Sequence, residues 1–171
     1  ITPMKDHQRY FPMRDKDGKL MNLFLTVRHG NDYHLETVQH GNERVLRARL
    51  DDAKFFFEED KKHKLADYTE KLKKIVFQDG LGTLYDKAQR LEKITVFFNH
   101  KLDLGLDDAK LQRASLLAKA DLATQMVMEF TELQGVMGKE YALIDGEDAG
   151  VADAIHAQSQ TRVARAVLPQ P

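Results

Sequence analysis

From Asn42 onward the apolar residues recur at the spacing of a helix. Leu46, Leu50, Ala53 and Phe57 stand at i, i+4, i+7 and i+11, which lines them along one face. Asn42 has the side chain of an N-cap. Lys61, Lys62, His63 and Lys64 close the run, where the helix dipole favours cations. The pattern predicts a second helix over 67–77, with Tyr68, Leu72, Ile75 and Val76 inward. After Asp79-Gly80 a third runs over 82–101, with Leu84, Ala88, Leu91, Thr95 and Phe98 as its stripe. Leu102 to Leu106 reads as a loop around Gly105, and Asp107 and Asp108 can cap the next helix. That fourth helix is the most apolar. Leu116, Ala120, Ala123, Val127 and Phe130 form a stripe, and Leu122, Met126 and Leu133 widen it, which places the helix at the centre of its domain.

The first forty residues read differently. Segments 9–14 and 20–27 are short, apolar and rich in strand formers, and Asp15-Lys16-Asp17-Gly18 between them can turn. They predict a β-hairpin with Pro12 at an edge or a bulge. A lone hairpin is marginal in water, so this one is expected to belong to a larger sheet. Residues 29–41, with three histidines and two glycines, are expected to be a connector. The fold class is therefore mainly α (α+β): a hairpin followed by a bundle of five or more helices.

Composition narrows the chemistry. The chain has no cysteine, which excludes disulfides, thiolate zinc sites and cysteine nucleophiles. Its 26 Lys and Arg against 27 Asp and Glu argue against a chain devoted wholly to nucleic acid, but not against a local basic face. No apolar run approaches the roughly 18–20 residues of a membrane span and no signal peptide is visible, so a cytoplasmic location is expected. Ile1 in place of an initiator methionine points to a piece of a longer polypeptide. There is no H-E-x-x-H, no His-Asp dipeptide, no phosphate-binding glycine loop and no G-x-S-x-G. The seven histidines are expected to be exposed or structural, and no metal site is assigned.

Three groups of residues stand out. Asp121 sits in the most apolar stretch, and a buried carboxylate needs a partner. It reads as a structural buried carboxylate, paired with an arginine such as Arg113 or Arg90 or accepting hydrogen bonds; metal ligation is the alternative. Gly135 and Gly138 lie three apart at the end of the same run, where each glycine costs a helix about 1 kcal/mol. They read as close-packing glycines. The alternatives are passage of a ligand backbone, or a break in which Gly135 ends one helix and Met137 begins another. Arg44, Arg47, Arg49 and Lys54 are candidate phosphate contacts, since arginine forks suit phosphate. The bland reading is a solvated face paired with Glu43, Asp51 and Glu58.

Three long blocks carry a resemblance: G-N-E-R-V-L-R-A-R-L-D-D-A-K-F-F-F (41–57), F-Q-D-G-L-G-T-L-Y-D-K-A-Q-R-L (77–91) and A-K-A-D-L-A-T-Q-M-V-M-E-F-T-E-L-Q-G-V-M-G-K-E-Y-A (118–142). With K-D-H-Q-R-Y-F-P (5–12) and F-L-T-V-R-H-G-N (24–31), the chain resembles the beta subunit of bacterial heterotetrameric glycyl-tRNA synthetase. The resemblance covers about residues 3–155. It implies an enzyme of two alpha and two beta subunits that attaches glycine to tRNA(Gly) with ATP. The alpha subunit would carry the catalytic site and use the ATP, and this chain would hold no catalytic residue and no cofactor. The beta subunit would serve tRNA binding and assembly. It further implies an internal HD-like helical domain over 41–158. Residues 1–40 would be the remnant of an upstream β-containing domain plus connector, and 159–171 a tail without assignment. HD hydrolases hold metal with a histidine, a His-Asp pair and a further aspartate. The pair is missing here, so hydrolase activity is the alternative rather than the expectation, with Asp121 its possible remnant. A spacer touching only other protein domains is a further alternative. In a tRNA-binding subunit, Arg44, Arg47, Arg49 and Lys54 gain weight as phosphate contacts.

Overall fold

A computed structural model describes residues 4, 5 and 8–160. The expected tail beyond residue 160, and His7, lie outside the described residues. The chain divides into two compact units, one ending at Phe55 and one starting at Phe56.

In the first unit, β1 (Phe11–Arg14) and β2 (Leu20–Leu25) form an antiparallel hairpin. Phe11 faces Leu25, Pro12 faces Phe24 and Arg14 faces Leu20, with the register slipping between Pro12 and Arg14. That irregularity is where a residue without an N–H fits. Asp15 holds the turn by accepting from the backbone N–H groups of Asp17 (3.0 Å) and Lys19 (2.8 Å). Tyr10 is buried, with its ring 5.0 Å from that of Phe24 and its hydroxyl donating to Asn42 Oδ1 at 2.9 Å.

That last bond corrects the role expected of Asn42. The helix α1 spans Leu35–Asp60, so the second half of the expected connector is already helical and Asn42 lies inside it. Gly41 lies inside it too. A side chain there would meet nothing within 4 Å, so the glycine is merely an unfavourable residue on an open face.

In the second unit, the helix expected over 67–77 is a 3-10 segment, Leu65–Lys74. It gives way to a short hairpin, β3 (Val76–Gln78) with β4 (Gly82–Thr83). The run Ile75-Val76-Phe77 is β-branched and aromatic, which suits strand better than helix. Thr83 then caps α2 (Leu84–Lys101). Its hydroxyl accepts from Asp86 N–H at 3.2 Å, and Asp86 accepts from Thr83 N–H at 2.7 Å, a reciprocal box. Ala88 and Asn99 are buried on α2, whereas Phe98, expected inward, is 49% exposed. Asp107 caps α3 (Asp108–Leu117), accepting from the N–H groups of Ala109 and Lys110.

The expected long central helix does not exist as one rod. After α3 come a 3-10 turn (Ala120–Ala123), α4 (Gln125–Glu129), a second 3-10 turn (Thr131–Leu133), α5 (Val136–Ile144) and α6 (Ala149–Gln160). Leu117, Ala120, Ala123, Met126, Val127 and Phe130 are all buried. Their wide apolar belt comes from a chain that turns repeatedly within the core, not from one helix surrounded on every side. Breaking a helix there leaves amide groups with no intrahelical partner in an apolar interior. Two carboxylates take them up.

Asp60, the last residue of α1, is 1% exposed. Its Oδ1 accepts from Gln125 N–H and its Oδ2 from Met126 N–H, both at 2.9 Å, at the start of α4. The hydroxyls of Tyr68 (3.3 Å) and Tyr141 (3.0 Å) also donate to it. Burial and the neighbouring Asp60 push the Tyr68 phenol up to about 12, and push Tyr141 well above the phenol range. Both remain donors at neutral pH.

Asp121 is fully buried, and its Oδ2 accepts from Gly135 N–H (2.6 Å) and Gly138 N–H (3.2 Å) at the start of α5. The partner is backbone; Arg113 instead pairs with Glu147. Burial raises the Asp121 carboxyl above its ordinary value, and the two amides pull it back. Gly135 has φ +82, and a side chain added there would collide with Ser159 on α6. At Gly138 an added Cβ would come within 2.8 Å of Ile155 Cγ2 and 3.0 Å of Asp121 Oδ2. The two glycines thus open α5 at its N-terminus rather than weakening the middle of a helix, and α5 starts at Val136.

Substitutions at these positions test the arrangement. Asp60→Asn turns an amide N–H₂ toward donors, and urea unfolding should show a loss of about 3 kcal/mol or more, well beyond Tyr68→Phe. Gly135→Ala should cost about 2 kcal/mol or more, and Gly135→Ala with Ser159→Gly should recover part of it, because the collision goes while the left-handed backbone remains. Arg113 hydrogen-bonds Glu147 and holds its carboxyl below the ordinary 4.5. That contribution is present above pH 4.5 and is lost as pH falls through the lower folded-state value. Glu147→Gln should remove this part of the acid-side slope in pH-dependent unfolding.

Candidate nucleic-acid interface

Arg44, Arg47, Arg49 and Lys54 all lie on the exposed surface of α1. None of them makes an ion pair among the described residues. Of the carboxylates that could have neutralised them, Glu43 accepts from Gln39 (3.4 Å), Glu58 pairs with Lys61, and Asp51 makes no ion pair among the described residues. At 100° per residue, Arg44, Arg47 and Lys54 fall within a sector of about 80°, while Arg49 lies about 140° from Arg44. Three cations can therefore face one polyanion, and Arg49 points across the helix. Unpaired guanidinium groups on a rigid helix can make two-pronged bonds to phosphate without first breaking an internal pair.

A second basic region was not singled out from the sequence. Residues 61–90 hold eight Lys and Arg against four Asp and Glu, in a chain of formal net charge −1. Lys71 lies 4.3 Å from the Tyr68 ring centroid and Lys87 3.8 Å from that of Phe77, neither with an ion pair among the described residues. Lys61 and Lys73 also sit over rings, those of Phe57 and Tyr85, but pair with Glu58 and Glu70. The available signal was lysine three or four residues after an aromatic, at Phe57/Lys61 and Tyr68/Lys71. Asp60 was also missed, because it follows Glu58 and Glu59 and reads as the end of a solvated acidic run.

The residues do not fit an HD-type metal centre. Among the described residues no three His, Asp or Glu side chains converge as a cation would require. Both Asp60 oxygens and Asp121 Oδ2 receive N–H or O–H donors, which leaves only Asp121 Oδ1 without one. Among the described residues His100 is the histidine paired with a carboxylate, bonding Asp108 at 2.6 Å on the surface. No helix among the described residues is long and apolar enough to cross a membrane.

The family model described as glycyl-tRNA synthetase beta subunit matches residues 1–171. The chain is 51% identical over 171 residues to the glycine–tRNA ligase beta subunit of Ligilactobacillus salivarius, covering 99% of this chain and 25% of the relative. It is 52% identical over 170 residues to that of Clostridioides difficile, with the same coverage, and 50% identical over 173 residues to that of Halothermothrix orenii. The chain therefore spans about a quarter of the length of the curated relatives it matches. With a match that runs its whole length, the chain belongs to the glycyl-tRNA synthetase beta subunit family.

Proposed function

We propose that this chain is a non-catalytic part of a glycine–tRNA ligase beta subunit, which helps to hold tRNA(Gly) and to assemble with an alpha subunit. In this reading the enzyme joins glycine to tRNA in the cytoplasm with ATP, two alpha and two beta subunits work together, and the ATP is used on the alpha subunit. Family membership supplies the setting. The observation that carries the tRNA part is the set of exposed α1 cations with no ion pair among the described residues. Exposed cations that hold no internal ion pair can meet phosphate without first breaking one, and here Asp51 and Glu43 stay out of any ion pair with the arginines among the described residues.

The reading assigns Arg44, Arg47 and Lys54 to phosphates along one edge of the RNA, with Arg49 reaching only if the strand crosses the helix. Such contacts release counterions, so affinity falls with salt at a log–log slope of about −3 for three or four phosphates. The alternative of metal-dependent phosphohydrolysis has little support from a donor set whose carboxylates are committed to backbone amides.

The test is tRNA(Gly) binding by the full-length beta polypeptide with its alpha partner, titrated at several salt concentrations. Replacing Arg44 and Arg47 with alanine should weaken binding at least ten-fold and make the slope shallower by about 2. Arg49→Ala should do less than either. Unchanged affinity and slope in the Arg44/Arg47 variant, with the fold intact by circular dichroism, would remove the arginine assignment.

A further inference from the structure

The two buried carboxylates of the second unit are not equally served. Asp60 meets the amides of Gln125 and Met126 and the hydroxyls of Tyr68 and Tyr141, so both of its oxygens accept. Asp121 meets the amides of Gly135 and Gly138, and both go to Oδ2. Its Oδ1 is buried and has no donor among the described residues. The whole residue is buried, so bulk water does not complete the set.

The neighbourhood leaves the side chain little freedom to turn toward a better partner. The Asp121 backbone oxygen accepts from Thr124 N–H at 3.0 Å and from the Thr124 hydroxyl at 2.6 Å, which fixes the turn that carries it. On its other side Gly138 and Ile155 of α6 are in close contact. Lys119 is a cation whose field reaches the carboxyl, and its ammonium bonds Gln158 at 2.6 Å. Tyr141 on α5 is also coupled to Asp121, and its phenol is held far toward the neutral form. Of the other charged groups on α5 and α6, Lys139 pairs with Asp153 at 2.6 Å, and His156 bonds Gln160. A negative charge shared with Oδ1 is thus buried without a hydrogen bond, which costs far more than an uncharged hydroxyl in the same place. Burial accordingly lifts the carboxyl, against the pull of the Gly135 and Gly138 amides and of Lys119.

We infer that Oδ1 of Asp121 is a proton-binding site, filled in the folded chain and emptied when the start of α5 opens. With the proton on Oδ1, Oδ2 remains a carbonyl oxygen that accepts from both glycine amides. The proton therefore removes the buried charge without removing a hydrogen bond. This inference stands apart from the tRNA reading. It makes the start of α5 a pH-sensitive corner of opposite sign to the Arg113–Glu147 pair. Once opened, the carboxyl returns to its ordinary value of 3.8 and releases its proton above it. Opening therefore becomes easier as pH rises from that value, until the folded-state carboxyl ionises too.

The experiment is hydrogen–deuterium exchange with mass spectrometry on the full-length beta polypeptide, following residues 131–144 from about pH 4 to about pH 7. After correction for the intrinsic pH dependence of amide exchange, protection should fall by about ten-fold for each pH unit and then level off where the folded-state carboxyl ionises. Asp121→Asn should give a level profile. Glu132 shares the segment and has a buried oxygen of its own, so Glu132→Gln is the control and should keep the fall. Lys119→Met removes a positive field that holds the Asp121 carboxyl down, and its profile should level off at a higher pH. That variant decides the matter if Asp121→Asn does not fold. A parent profile that is level or rises with pH overturns the inference, since Asp121 is then ionised and a buried water serves Oδ1. A fall that survives Asp121→Asn, or that vanishes in Glu132→Gln, also overturns it. So does a levelling point that Lys119→Met leaves unmoved.

Discussion

The second unit depends on carboxylates that take up the amides of buried helix starts. A helix leaves its first N–H groups without intrahelical partners, and in an apolar interior each unpaired group is expensive. Asp60 and Asp121 solve this twice with the same chemistry. Each offers an ionisable side chain with several lone pairs to two successive or near-successive amides, Gln125 and Met126 for one, Gly135 and Gly138 for the other. Asp60 is the more fully compensated, since two tyrosine hydroxyls complete its shell. Asp121 keeps one oxygen without a donor among the described residues, and burial lifts its carboxyl accordingly. The helix dipole adds a favourable field at both positions, but the hydrogen bonds make the breaks tolerable.

This arrangement explains why some elements were legible in the sequence and others were not. The existence of α2 was legible from its spacing; its cap went unread, although T-x-x-D at Thr83 and Asp86 is a local signal. The cap of α3 at Asp107 was legible. The hairpin was legible from two short segments rich in strand formers and from the turn between them, whose Asp15 organises its own backbone. The central belt was misjudged. Leu116, Ala120, Ala123, Val127 and Phe130 match helical spacing whether the chain is one rod or several short turns, since periodicity reports which residues are inward and not whether the backbone is continuous. The start of α4 is met by Asp60, which lies 65 residues from Gln125 in sequence. No local window contains both. Gly135 carried the one local hint, and its positive φ with Ser159 pressed against it makes the break obligatory.

The candidate surface residues were legible as residue types but not as a face. Helical numbering alone separates Arg49 from Arg44, Arg47 and Lys54, yet whether neighbouring carboxylates neutralise them depends on rotamers that sequence does not report. In α1 Glu43 turns to Gln39 and Glu58 to Lys61, while Asp51 makes no ion pair among the described residues. Phe98 shows the converse failure. Its spacing from Leu91 and Thr95 marks it as core, but Asn99 takes the inward position because its amide is needed to order the α2–α3 loop. A polar residue displaced an aromatic from the interior, and the aromatic became surface.

That displacement links the interior to the surface. A domain selected only for stability would place Phe98 inward and leave the loop after α2 polar, since apolar burial contributes about 25 cal/mol for each Å² withdrawn from water. Here a buried amide fixes the loop, and aromatic and leucine side chains are left outside, beside cations that have no ion pair among the described residues. On α1, too, arginines make no ion pair among the described residues although carboxylates lie within a few residues. In the second unit the folded chain meets two buried helix starts with carboxylates, Asp60 at α4 and Asp121 at α5. The exposed cations of α1 and the exposed aromatics of α2 take no part in those bonds, so substitutions on either helix surface leave the hydrogen bonds of the carboxylate-pinned core in place.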